Sequence, residues 1–234
     1  MNNNLDEAIL YLCHDLNRTL KKKNWKQLSE KSLLFELTIS ILGSQCTYEL
    51  ALAATEELDK SGLFVNPVAI YSKHEYFNLV YSTLSKPIYR KEWGVQGRRY
   101  RFYESRSNYI TESIWNVYNN YGSIKKLISS LSELNNVRET LIRLIKGFGP
   151  KQASHFLRNI GYAENIAVLD THVLDYMHIK GMVDKPLKSI SNLKLYEKVE
   201  TILRELINIF NYTLACIDQA IWIVMRVYSR ESYL

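Results

Sequence analysis

Cysteine is scarce in this chain of 234 residues: Cys13, Cys46 and Cys216 are the only three, and no two stand in a CxxC spacing. An odd, scattered trio argues against a disulfide-built scaffold and against a Cys-ligated zinc or iron–sulfur centre. Proline and glycine are also few, at 4 and 9 residues, so long helices are predicted with little to interrupt them. No apolar run reaches membrane-spanning length. The opening Met1-Asn2-Asn3-Asn4-Leu5-Asp6-Glu7 has no basic segment ahead of an apolar stretch, so no secretory leader is expected. Period-two alternation, internal repeats and low-complexity tracts are missing as well. These absences predict an intracellular, soluble, all-α protein with no membrane partner.

Hydrophobic residues make up 47% of the chain and charged residues 23%, enough to bury a core in one domain or two small ones. The net charge of +6 suits a polyanionic partner, though it is a weak signal alone. Helical periodicity runs almost throughout. Leu33, Leu34, Leu37 and Ile41 mark an apolar face after Ser29, and Thr47 is placed to cap the next helix. Lys86 to Arg101, with Pro87, Gly94, Gly97 and the basic residues Arg90, Lys91, Arg98, Arg99 and Arg101, reads as a basic loop. Helices are predicted over Tyr100–Tyr121, Ser123–Ser130, Ser132–Lys146, Pro150–Ile160, Asp170–Lys180, Asn192–Phe210 and Thr213–Ser229. The Lys21-Lys22-Lys23 run reads as a solvated helix end, where cations favour the dipole.

Chemistry concentrates in two segments. Val137, Leu141, Leu144 and Ile145 form one helical stripe, and Ala153, Phe156, Leu157 and Ile160 form another. Between them Gly147-Phe148-Gly149 predicts a turn too tight for Cβ atoms at the glycines, with Pro150 opening the second helix. Free N–H groups of such a turn can face a phosphate. Lys151 falls in the first turn of that helix, where the positive dipole end disfavours an ammonium and favours a neutral amine nucleophile. A plain phosphate contact is the alternative. Asp170 follows the apolar Ile166-Ala167-Val168-Leu169 and is placed as an N-cap, whose N–H bonds keep it ionised. Such a carboxylate can stabilise positive charge at a reacting sugar carbon, or be a cap and nothing more. The spacing is 170 − 151 = 19 residues. An amine with a carboxylate suits carbon–nitrogen cleavage through an imine. His155 and Arg158 lie four and seven residues beyond Lys151, suited to phosphate contact or to plain solvated surface. His172 reads as a structural partner near the cap.

This combination resembles the helix-hairpin-helix, Gly/Pro-loop, Asp superfamily of base-excision DNA glycosylases. Leu144 to Ala153 is similar to its hairpin, and Ile166 to Val173 to its aspartate loop. In that superfamily a lysine at the position of Lys151 marks enzymes that are both glycosylase and β-lyase, and an aspartate at the position of Asp170 is the shared catalytic carboxylate. Lys151 to Tyr162 and Arg101 to Ile110 are most similar to the archaeal-type, second-class 8-oxoguanine DNA glycosylases. The resemblance implies that Asp218 and Trp222 line the base pocket, Asp218 reading the base edge. It also implies that Gln45, within Ile41 to Thr47, probes the gap left by a flipped base. The chain departs from the pattern where Tyr162–Asn165 lacks proline, where Thr171 replaces arginine, and where it runs on to Ser232-Tyr233-Leu234.

The resemblance implies two helical lobes with the active-site cleft between them, one spanning 24–162 with the hairpin and the other combining 1–23 with 163–234. It implies double-stranded DNA containing a damaged base as partner and a monomer as the acting form. No metal or organic cofactor is expected, beyond a monovalent cation at the hairpin. A glycosylase for another lesion and a non-catalytic DNA clamp are the alternatives.

Overall fold

The computed structural model describes residues 3–19, 23–131, 133–207 and 210–231. Lys21 and Lys22, Ser132, residues 208–209 and Ser232-Tyr233-Leu234 lie outside the described residues, and with them the expected tail, one helix start and one helix end. Among the described residues there are twelve α-helices and one two-stranded sheet. The chain divides into two compact units, one of residues 25–148 and one of 1–24 with 149–234.

The unit of residues 25–148 holds α2 (Glu30–Leu42), α3 (Tyr48–Lys60), α4 (Pro67–Ile70), α5 (Lys73–Leu84), β1 (Ile88–Arg90), β2 (Val95–Arg98), α6 (Tyr103–Tyr121), α7 (Ile124–Ser129) and α8 (Leu134–Leu144). Helix α2 is apolar on more than one face: Leu33, Leu34, Leu37, Ile39, Ile41 and Leu42 are all buried, as expected of a helix inside a core. Ser29 caps it by accepting the Ser32 N–H at 3.1 Å. Thr47 is the N-cap of α3 by position, yet its side chain makes no capping bond. Helix α5 starts at a capping box in which Ser72 accepts the Glu75 N–H and Glu75 accepts the Ser72 N–H.

The expected basic loop is instead an antiparallel hairpin, with Ile88 opposite Arg98 and Arg90 opposite Val95. Arg90 is committed inside the fold, its Nε 3.1 Å from Glu56 of α3 and its Nη2 bonded to Glu57. Strands of three and four residues are too short for period-two alternation to stand out.

The other unit holds α1 (Asn3–Thr19), α9 (Pro150–Asn159), α10 (Thr171–Ile179), α11 (Leu193–Ile207) and α12 (Leu214–Glu231). Its core joins Leu5, Ile9 and Cys13 of α1 to Leu174 and Met177 of α10, Tyr196 and Leu203 of α11, and Ile217, Ile221 and Met225 of α12. Asp6 ties α1 to α10 by accepting from Tyr176 Oη at 3.0 Å and Lys180 Nζ at 2.6 Å.

The chain passes from one unit to the other at Phe148–Gly149, not at Tyr162–Ala163 as the sequence suggests. Two contacts place α9 with the second unit. Arg158 pairs with Asp218 of α12 at 2.6 Å. Gly161, at φ +71°, lies so close to Lys23 that a Cβ there would stand 1.9 Å from the Lys23 carbonyl oxygen.

Candidate active site

Helix α8 ends at Leu144, and the turn that follows depends on Gly147. Its φ is +80°, and a Cβ there would meet the Tyr109 ring at 2.6 Å. Both facts require glycine. Gly149 differs from expectation: its backbone is extended at φ −118°, and an added Cβ would meet nothing nearer than Gln152 Oε1 at 3.8 Å. The turn is therefore too tight for a Cβ at one glycine, not both. Phe148 is also not offered outward as a DNA contact, since its side chain is buried and its N–H donates to the Ile145 carbonyl at 3.2 Å.

Gly149 is the N-cap of α9, Pro150 occupies its first turn, and no side chain caps the helix. The N–H groups of Lys151 and Gln152 therefore have no side-chain cap, at the positive end of the dipole. Lys151 is half-buried in this first turn. The Asp170 side chain accepts the Val173 N–H at 3.0 Å and caps α10, as its sequence position predicts.

The segment leading to Asp170 is buried and lies outside any helix or strand, and side chains satisfy its backbone. Glu200 accepts the Ala167 N–H at 2.9 Å, Asp218 accepts the Val168 N–H, and Tyr196 Oη accepts from Leu169 N while donating to Ala167 O, each at 2.9 Å. The Asp170 N–H donates to the Val168 carbonyl at 2.8 Å. A buried segment outside any helix or sheet needs such partners. Tyr196 and Glu200 escaped the sequence reading. The signal for them is an i, i+4 polar pair on the apolar face that also carries Val199 and Leu203.

Asp218 does not read a base edge in this arrangement. It is fully buried, with Oδ1 held by Arg158 and Oδ2 by the Val168 N–H. Burial pushes its carboxyl up to about 6, with the Asp170 charge pushing the same way and Arg158 and the Val168 bond pulling down. Arg158 is correspondingly an internal partner, not a free cation for phosphate. His155 is not a cation either: desolvation first, then the charges of Arg158 and Lys151, hold it down to about 3, so the imidazole is neutral. It sits within 3.3 Å of Asn159 Nδ2.

Trp222 keeps a half-buried ring, with the His172 ring edge-on at 6.5 Å and the Arg226 guanidinium 5.1 Å from its centre. Gln45 is exposed at the tip between α2 and α3, in the left-handed region at φ +61°. Non-glycine residues held there cost about 1–2 kcal/mol, and such strain clusters at functional positions. Among the described residues no three His, Cys, Asp or Glu side chains converge to hold a metal ion, and no helix is long and apolar enough to cross a membrane.

A helical protein with a lysine-bearing hairpin helix and an aspartate-capped neighbour has the arrangement that the resemblance to helix-hairpin-helix glycosylases implies. The chain resembles the solved 8-oxoguanine DNA glycosylase of Thermotoga maritima with a TM-score of 0.63 at 26% identity, covering 94% of this chain and 88% of that one. It resembles equally the Methanocaldococcus jannaschii 8-oxoguanine glycosylase/lyase in complex with DNA containing 8-oxoguanine, at TM-score 0.63, 26% identity and the same coverage. The family model for 8-oxoguanine DNA glycosylases matches residues 82–212, more than half of the chain. The protein belongs to that family. The M. jannaschii 8-oxoguanine DNA glycosylase/AP lyase is 34% identical over 139 residues, 59% of this chain. That of Saccharolobus solfataricus is 35% identical over 126 residues, 53% of this chain. These matches span 64% and 58% of the two relatives' own lengths.

Proposed function

We propose that the protein acts as a monomer on double-stranded DNA, excises 8-oxoguanine and nicks the strand at the resulting site. The observation that carries this reading is that Lys151 and Asp170 belong to one compact unit, on helices linked by the Arg158–Asp218–Val168 contacts. The relatives bearing the glycosylase/lyase name support the choice of substrate.

The damaged nucleotide is turned out of the duplex at a cost of about a few kcal/mol, offset by phosphate contacts. The uncapped N–H groups at the start of α9 and the positive dipole end suit one such phosphate. Gln45 fills the vacated stack, and the Trp222 ring walls the extruded base. Lys151 Nζ, as the free amine, attacks C1′ and the bond from C1′ to the base nitrogen breaks. Asp170 stabilises the positive charge that develops on the sugar. Nitrogen then displaces the ring oxygen to give a Schiff base. Loss of a C2′ proton expels the 3′ oxygen, so the strand is cut by β-elimination. A monovalent cation at the hairpin belongs to the same proposal, since the Ile145 carbonyl accepts one N–H and keeps a lone pair. No other metal or organic cofactor is part of it.

The test is strand scission without alkali on duplexes carrying 8-oxoguanine, an oxidised pyrimidine or an alkylated purine. Scission at 8-oxoguanine alone is expected. Scission at another lesion in preference moves the substrate assignment, and binding without scission leaves a DNA clamp.

A further inference from the structure

We propose that Asp218 and Arg158 are positioning residues for the Lys151–Asp170 chemistry, forming a buried brace that holds the aspartate loop in register with the lysine-bearing helix. The proposal deepens the glycosylase reading and rests on it. Arg158 stands seven residues after Lys151 on α9, close to two helical turns, so both project from one face. Val168 stands two residues before Asp170 on the buried segment that leads into α10. One Asp218 carboxylate grips both, Oδ1 taking Arg158 Nη1 at 2.6 Å and Oδ2 the Val168 N–H. Glu200 and Tyr196 tie the same loop to α11. Asp218 extends that tie to α9 and so couples the amine to the carboxylate.

Stability alone gives a poor reason for the pair. Burying two charges costs desolvation that their attraction barely repays, and an apolar replacement is often as stable. A fixed geometry is a better one, because small displacements of reacting groups slow chemistry steeply. The brace is also titratable. The groups facing Asp218 are Arg158 from α9, Asp170 and the Val168 N–H from the loop, and Cys13 from α1. Burial outweighs the Arg158 cation among them, so the carboxylate gains its proton as the solution falls through about pH 6. Protonation discharges the grip on Arg158, and the excision rate should fall with it.

The experiment compares wild type, Asp218→Asn and Arg158→Lys in single-turnover excision from an 8-oxoguanine duplex over about pH 5 to 8, alongside borohydride trapping on a duplex with an abasic site. Thermal melts monitor folding, and Arg158→Lys keeps the charge if Asp218→Asn folds poorly. We expect both variants to slow excision and trapping by about 10–100-fold, with abasic-site binding changed less than about 3-fold. The acid limb near pH 6 should disappear in Asp218→Asn. Wild-type rates with the acid limb intact overturn the brace. So does a loss of 8-oxoguanine-over-guanine discrimination at an unchanged trapping rate, which returns Asp218 to reading the base. If wild type spares 8-oxoguanine, the glycosylase reading fails by itself, while trapping at the abasic site still tests the brace.

Discussion

Gly147 lies against the ring of Tyr109 so closely that a Cβ on the glycine would stand 2.6 Å from Tyr109 Cδ2 and 2.8 Å from Cε2. Arg106 flanks the same contact: its Nη1 is 3.7 Å from where that Cβ would stand, its guanidinium is 5.0 Å from the Tyr109 ring centre, and it donates to the Ser44 carbonyl. The hairpin turn and the turn bearing Gln45 thus share one support. Gly147→Ala meets both a left-handed backbone and a steric conflict, and should cost about 2 kcal/mol or more. In a chain of this size that lowers Tm by about 4–8 °C. Gly149→Ala meets neither obstacle and should shift Tm by no more than about 2 °C. A calorimetric comparison checks the pair, and equal losses in the two variants would contradict the assignment.

Asp170 caps α10 and, in the proposed mechanism, faces the sugar. Asn preserves the cap while removing the charge. Asp170→Asn should therefore leave stability within about 0.5 kcal/mol and slow single-turnover excision by about 100-fold or more. Asp170→Ala should lose the same activity and about 1 kcal/mol besides. Denaturant midpoints measured with the excision rates separate the two roles.

His155 makes stability depend on pH. Its folded-state value of about 3 lies below the ordinary 6.5, so the unfolded chain binds the extra proton between those values. The stability it contributes is fully present above about pH 6.5 and drains away as pH falls toward 3. Asp218, raised to about 6, works in the opposite sense between its ordinary value and about 6: it favours the folded state as pH falls. Between pH 7 and about pH 5 the two oppose each other, and of the pair only His155 lowers stability on acidification. His155→Gln should lose less over the same range, as read by urea midpoints.

Gln45 holds a left-handed backbone with its side chain exposed. Gly relieves that strain at some cost in unfolded-chain entropy. Gln45→Gly should be at least as stable as wild type within about 0.5 kcal/mol, yet flip the damaged base more weakly. Fluorescence of a base analogue opposite the lesion reports the flipping. A variant that is less stable and equally active would assign the residue to the fold instead.

Much of this site is legible in the sequence because local rules govern it. Asp170 before Thr171-His172-Val173 is an N-cap by its neighbours alone, and Pro150 after Gly149 opens a helix wherever it stands. The capping box from Ser72 to Glu75 was equally local, and marks a helix that periodicity had not brought out. The contacts that the sequence does not show are those between residues far apart along the chain. Asp218 and Arg158 are 60 positions apart, and nothing near either one says that each neutralises the other. Periodicity places a polar residue on an apolar face without saying what satisfies it there. The β-hairpin was hidden for a related reason, because Arg90 looks like a free cation until Glu56 and Glu57 are brought beside it.

The most direct measurement is borohydride trapping of the protein on an 8-oxoguanine duplex, run for wild type and Lys151→Gln. Wild type is expected to give a covalent protein–DNA adduct and alkali-independent scission, and Lys151→Gln to give neither while still binding the duplex. An adduct that persists in Lys151→Gln would place the nucleophile elsewhere, and wild type that binds without adduct or scission would contradict the imine mechanism.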